Sequence, residues 1–214
     1  MSETPPQPHV QNGTRDFIDK TVSYEKCLRL WQEKINLISD STLEDIQNRH
    51  FRDSEQLVSA IKSVNLLNQN GYHVPHLDAS LIDLGSGAGF PGMILAISGF
   101  KNVHLVESDQ RKCAFLREIA RTTGVRPTIH NQRVEKLPIK ADMITSRAFA
   151  DLAKTLEISY HLCHENTQYF LLKPLDMEKE LTEATKYWYF CHEMIPSVTD
   201  PRGCVLRLSQ IRKK

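Results

Sequence analysis

An open, mostly parallel β-sheet wound on both faces by helices is the fold class this α/β sequence predicts, with a helical segment placed ahead of it. Three observations lead there. Residues 15–70 carry apolar side chains at helical spacing. From Leu81 onward, short apolar runs alternate with helical ones, the order that makes a parallel sheet covered on both faces. The first of those runs feeds straight into Gly85-Ser86-Gly87-Ala88-Gly89. In an open α/β sheet a ligand sits at the carboxyl ends of the strands, where such a turn lies.

The elements follow in order. The opening MSETPPQPHVQNG is rich in proline, glutamine and asparagine, so residues 1–14 are expected to be a disordered leader. It has neither a basic start nor an apolar centre, and no secretory signal is expected. Residues 15–70 form the expected helical extension. Tyr24, Cys27, Leu28, Trp31, Ile35 and Ile38 make one stripe, more simply a core face than a stacking platform. Ser41-Thr42-Leu43-Glu44 has the spacing of a capping box that would open the next helix, with Phe51, Leu57, Val58 and Ile61 facing inward. Asn68-Gln69-Asn70-Gly71 ends the extension with turn residues. Residues 71–214 then form the sheet domain. Strands are expected at Leu81–Leu84, Val103–Glu107, Pro127–His130, Asp142–Thr145, Tyr169–Leu172 and Val205–Leu208. Helices are expected from Phe90, with Pro91 in the first turn, over Arg111–Thr123 with Gly124 as a stop, and over Leu152–Cys163.

Composition narrows the function classes. No apolar run approaches the roughly 20 residues of a membrane span. Five scattered cysteines without a CxxC pair argue against a disulfide framework and for a reduced, cytoplasmic setting. Cys163-His164 and Cys191-His192 are adjacent pairs whose side chains diverge, so no metal site is expected. Net charge is only +1, yet residues 110–150 hold nine Lys/Arg against three acids, and residues 151–200 hold nine acids against four bases. A basic stretch of that kind can attract a polyanion even on a near-neutral chain.

The chemistry-bearing motif is Asp83-Leu84-Gly85-Ser86-Gly87-Ala88-Gly89-Phe90-Pro91-Gly92. A dinucleotide fingerprint needs GxGxxG to seat a pyrophosphate on a helix N-terminus. Here the third glycine comes one residue early, which disfavours a nucleotide-dependent oxidoreductase. GxGxG after an acidic strand end resembles the turn of class I methyltransferases, a Rossmann-like fold. Their cofactor, S-adenosylmethionine, has no phosphate and a cationic amino-acid tail that Asp83 could help to hold. A side chain at Gly85 would enter the space of that tail. Glu107 ends the second strand, twenty-two residues after Gly85, where an acid can accept bonds from both ribose hydroxyls. Glu135 follows the third strand, beside the expected adenine.

Beyond the turn, Lys34-Ile35-Asn36-Leu37-Ile38, His50-Phe51-Arg52-Asp53-Ser54, Arg111 to Glu118, Arg133-Val134-Glu135, Thr145-Ser146-Arg147-Ala148-Phe149-Ala150 and Leu171-Leu172-Lys173 resemble, in order, the RsmG family. That family is also called glucose-inhibited division protein B. The resemblance implies a monomeric methyltransferase of guanine N7 in 16S ribosomal RNA or the small ribosomal subunit. It implies cofactor contacts at Gly85, Phe90, Val134, Glu135 and Arg147, with Gly87 and Gly89 in the same turn. Arg147 would orient cofactor or base, and Arg133 and Lys173 would contact phosphate or base. His50 and Asp53, three apart on one helix face, could support a substrate loop. Pro174 stands where the family usually has glycine. Because N7 carries a lone pair and no proton, positioning rather than a general base is the expected device. An RNA-binding protein that kept the fold without its catalysis is the other reading.

Overall fold

The computed structural model describes residues 15–214; the expected leader, residues 1–14, lies outside them. Two helices come first, α1 (Arg15–Gln32) and α2 (Asp53–Lys62). Then follow β1 (Ser80–Leu84), α3 (Gly92–Ile97), β2 (Asn102–Glu107), α4 (Gln110–Thr123), β3 (Thr128–Asn131), β4 (Ala141–Arg147), α5 (Leu152–Ser159), β5 (Cys163–Pro174), α6 (Glu178–Thr185), β6 (Trp188–Pro196) and β7 (Gly203–Lys213).

The seven strands form one sheet in the order β3-β2-β1-β4-β5-β7-β6. The first five are parallel, β7 runs antiparallel to β5, and β6 runs antiparallel to β7. Strand order reverses between β1 and β4, where Leu84 pairs with Ser146. The crevice beyond their carboxyl ends is where a doubly wound sheet binds ligands.

Because successive strand residues face opposite ways, each central strand feeds two cores. Leu81, Met143 and Phe170 pack on one face with α1, α2, α3 and α4, through Tyr24, Leu28, Leu57, Ile94 and Phe115. Ile82, Ile144, Tyr169 and Leu171 pack on the other with Leu156 of α5 and Ala184 of α6. Asp109 caps α4 by accepting from the Arg111 and Lys112 amides, and Gly124 ends it at φ +72°.

Several expectations are corrected. Ile35 and Ile38 fall beyond α1, because the Gln32 side chain closes the helix by accepting from the Leu37 and Ile38 amides at 2.9 and 3.1 Å. The capping box does not form. Asp40–Thr42 is a single 3-10 turn, and the Ser41 hydroxyl pairs with the Ser39 hydroxyl at 2.8 Å instead of capping a helix. A π-helical segment, Gln47–Arg52, leads into α2 instead. The helix expected over Leu152–Cys163 stops at Ser159, and Cys163 opens β5. Two elements, α6 and β6, were not anticipated. On α6 only Ala184 is buried, and β6 is a largely exposed edge strand, so neither carries a strong apolar period.

The helical extension and the sheet thus share one core, and α1 should be integral to stability. Leu28→Ala, at a fully buried site on α1, is expected to cost roughly 2–5 kcal/mol in urea unfolding. A loss below about 1 kcal/mol would mark α1 as an independent appendage.

Candidate active site

The turn after β1 is held from three sides. Gly85, Gly87 and Gly89 adopt φ of +62°, +53° and +91°, the left-handed region that favours glycine. From the side of β2, the Val106 carbonyl accepts from the Ser86 amide at 3.0 Å, and Glu107 Oε2 accepts from the Gly87 amide at 2.9 Å. The other Glu107 oxygen accepts from the Asp109 amide at 2.8 Å. From α1, the Tyr24 hydroxyl donates to the Ala88 carbonyl, and a Cβ on Gly89 would run into that hydroxyl. Tyr24 also stacks on Phe90, centroids 5.3 Å apart and nearly parallel.

Asp83 lies beneath this turn, fully buried. Its Oδ1 accepts from the Thr145 hydroxyl at 2.9 Å, and Oδ2 has no hydrogen-bond partner. Burial pushes its carboxyl up to about 6. Asp83 was expected to help hold a cofactor's tail; in this structure its side chain is buried under the turn. The carboxylate is closed off and supports the turn from below. The space over Gly85 likewise belongs to protein. A Cβ there would lie 2.6 Å from Cδ2 of the Phe149 ring.

Beside the turn is a cavity of about 200 Å³ lined by Gly85, Val106, Glu107, Arg133, Val134, Glu135 and Phe149 among others. These residues suit a nucleoside. A carboxylate has about four lone-pair sites, so Glu107, with two backbone donors bound, keeps capacity for two hydroxyls. Val106 and Val134 give apolar walls, and Glu135 and Arg133 are exposed at the mouth.

Across the switch point lies a larger cleft of about 780 Å³. Arg147, the last residue of β4, forms its inner wall. Its guanidinium donates to the Arg49 carbonyl at 2.9 Å and to His50 Nδ1 at 2.6 Å. It lies 3.5 Å from Asp53 and 5.1 Å over the Phe90 ring. The tautomer of His50 follows. The Thr42 hydroxyl donates to the Ser39 carbonyl at 2.7 Å, so it accepts from His50 Nε2–H at 2.8 Å, and Nδ1 offers its lone pair to Arg147. Burial, then the charges of Arg147 and Arg49, pull the imidazole down to about 3.

Lys173, on β5, is committed rather than free. Its ammonium donates to the Ala150 carbonyl and to Glu180, both at 2.7 Å, and the same Glu180 oxygen accepts from the Leu152 amide at 2.9 Å. It fixes the loop after β4 to α6 from within the cleft, where a phosphate or base contact was expected of it. Pro174 pairs with Gly203 at the end of the β5–β7 ladder and lines the cleft. The β6–β7 loop closes the far wall, with Thr199 donating to Asp53 at 3.0 Å and Arg49 bonded to Asp200 at 2.8 Å.

The structure therefore brings Gly85, Glu107, Arg133, Val134 and Glu135 to one cavity and Arg147 and Lys173 to the other. Phe90 packs beneath, against Tyr24, His50 and Arg147. The sequence reading placed Tyr24 in a core stripe and Thr42 in a capping box, gave Phe149 only as part of the Ser146-Arg147-Ala148-Phe149 phrase, and gave Glu180 no role.

Strand order, glycine turn and the acid ending β2 together define a class I S-adenosylmethionine-dependent methyltransferase. Solved structures agree on the fold. The chain is similar to a ribosomal protein L11 methylase from Lactobacillus delbrueckii, with TM-score 0.57 and 14% identity over 74% of this chain and 78% of that one. It is also similar to a magnesium protoporphyrin IX methyltransferase from Synechocystis, with TM-score 0.56 and 16% identity over 91% and 97%. At the sequence level, residues 18–204 match the family model described as rRNA small subunit methyltransferase G. Relatives named ribosomal RNA small subunit methyltransferase G are 43% identical in Rhodospirillum centenum, over 92% of this chain and 86% of the relative, and 40% identical in Paramagnetospirillum magneticum, over 94% and 92%. The chain belongs to the rRNA small subunit methyltransferase G family.

Two measurements check the geometry. Because the folded pKa of His50 is depressed, the unfolded chain binds the extra proton, and its contribution to stability is lost as pH falls below the ordinary 6.5 towards about 3. His50→Gln should flatten the pH dependence of the urea midpoint in that range; an unchanged slope would mean that the ring charges freely when folded. Glu107→Ala should weaken S-adenosylmethionine binding by on the order of 1.5–3 kcal/mol in calorimetry, through lost bonds to a charged acceptor. Unaltered affinity would remove Glu107 from the cofactor site.

Proposed function

We propose that the chain is a cytoplasmic, monomeric enzyme that methylates N7 of a guanine in 16S ribosomal RNA of the small subunit, using S-adenosylmethionine. The observation that carries this reading is the state of the larger cleft, whose ionisable walls are already engaged with protein partners. His50 is held neutral between Thr42 and Arg147. Asp53 accepts from Gln56 and Thr199, Asp151 caps α5, Asp200 holds Arg49 and Arg202, and Glu180 holds Lys173. Such walls, with their hydrogen bonds already made to protein, bind and orient. Guanine N7 asks for nothing more, since its lone pair is in the ring plane and no proton has to leave.

The chemistry an S-adenosylmethionine cofactor supplies is an electrophilic methyl group. Glu107, Gly87 and Val134 would hold its nucleoside, with Glu135 and Arg133 at the rim. Arg147 would act as a positioning residue, anchoring the floor shared by the two cavities through Phe90. Lys173 would hold the loop over them. The exposed Arg111, Arg117 and Arg121 of α4 offer a basic face for the phosphate backbone. Among the described residues no helix is long and apolar enough to cross a membrane.

The test is single-turnover methylation of small subunits from a strain lacking the gene, followed by nucleoside mass spectrometry. The expected product is 7-methylguanosine, at a rate flat from about pH 6 to 9, because no catalytic base is poised in that window. A different methylated nucleoside, or a bell-shaped profile, would overturn the assignment.

A further inference from the structure

The two cavities adjoin one another. The cofactor-side cavity and the larger cleft have two lining residues in common, Phe149 and Ala150. Methyl transfer needs donor and acceptor within about 3–3.5 Å, in line, so the two must meet at this boundary. Ala150 is not free to yield. Its carbonyl is pinned by the Lys173 ammonium at 2.7 Å, which is itself paired with Glu180. Phe149 is the element that can move. Its ring is half-buried and rests over Gly85, in the place that a side chain at that position would need. Immediately before it, Ala148 holds φ +51° on an exposed loop, a conformation that non-glycine residues rarely adopt and that recurs at active sites and switch regions. The cofactor-side cavity is also smaller than the roughly 300 Å³ at which small-molecule sites begin, with this ring as one of its walls.

We propose that Phe149 is a movable partition and the base-contacting residue of the enzyme: the ring lies over Gly85 in the free chain, swings into the larger cleft as the cofactor binds, and there presents its face to the target guanine. Base–aromatic stacking supplies acceptor binding without a hydrogen-bond code, in keeping with a cleft whose polar groups are already paired. Gly85 has a second role in this arrangement. Besides turning the chain, its missing side chain leaves the berth for the ring. The inference rests on the larger cleft being the acceptor site.

The experiment compares the parent with Phe149→Ala, Phe149→Leu and Phe149→Tyr. Calorimetry with S-adenosylhomocysteine reads the cofactor side, and single-turnover methylation of small subunits reads the acceptor side. Thermal melting identifies variants that fold. Phe149→Ala, or Phe149→Leu if the alanine variant fails to fold, should bind S-adenosylhomocysteine as tightly as the parent or several-fold tighter, because the ring no longer competes for the space. The same variant should lose on the order of ten- to a hundredfold in methyl transfer at subsaturating subunits, and Phe149→Tyr should restore it. Weaker S-adenosylhomocysteine binding would make Phe149 a fixed cofactor wall and overturn the proposal, as would methylation at the parental rate. A parent that makes no 7-methylguanosine on small subunits would instead overturn the functional assignment, while the calorimetric arm still decides whether the ring yields to the cofactor.

Discussion

The site is organised around the guanidinium of Arg147. A group that cannot lose its proton, taken largely out of water, must have its donors filled and its charge answered. Arg147 stands at the end of β4 beside the topological switch point, and its partners come from outside the sheet. The Arg49 carbonyl, the His50 ring and the Asp53 carboxylate are drawn to it from the π-helical segment and the first turn of α2. From those same residues the contacts continue outward, Asp53 to Thr199 and Arg49 to Asp200, so the β6–β7 loop is tied to the same anchor. One buried charge thereby sets the distance between the helical extension, the parallel half of the sheet and its antiparallel edge.

A second consequence concerns proton inventory. A histidine at the lip of a cleft is the usual first choice for acid–base work. Here His50 is flanked by Arg147 and Arg49, buried against Phe90, and bonded at both nitrogens, so protonation would set a third cation beside two. It serves as a neutral connector. Asp83 is the complementary case, a buried carboxyl under the glycine turn with one oxygen unpartnered, raised by burial. Neither group is available for proton transfer to a substrate, which agrees with a reaction whose acceptor atom carries its own lone pair.

The helical extension also acquires a purpose. Through Tyr24 it bonds the Ala88 carbonyl, occupies the room a side chain at Gly89 would need, and stacks on Phe90, all within the turn that faces the cofactor-side cavity. Through His50 and Asp53 it grips Arg147. It buttresses both cavities at once, and its buried stripe joins the sheet's own core.

What could be read from the chain alone was local. Period-two and period-3.6 patterns, glycines that require positive φ, and Gly124 as a helix end are fixed by neighbours a few residues away, so the β-α order and the turn over Gly85–Gly89 were legible in advance. The acid ending β2 was legible too, because strand ends in this sheet converge on the crevice. The surroundings of each candidate were not. Asp83 and Glu107 point to the same side of adjacent strands, since Asp83 pairs with Leu105, yet Asp83 lies one residue inside β1 and is sealed beneath Gly92, while Glu107 ends β2 two residues farther on and lines the cavity. Arg147 finds partners nearly a hundred residues upstream, Lys173 finds Glu180 on a helix with almost no apolar stripe, and Phe149 reaches back to Gly85. Those meetings depend on the packing of layers that are distant in sequence. No local pattern encodes them, so only the tertiary structure decided which polar residues would be spent on holding the site and which remain turned toward a ligand.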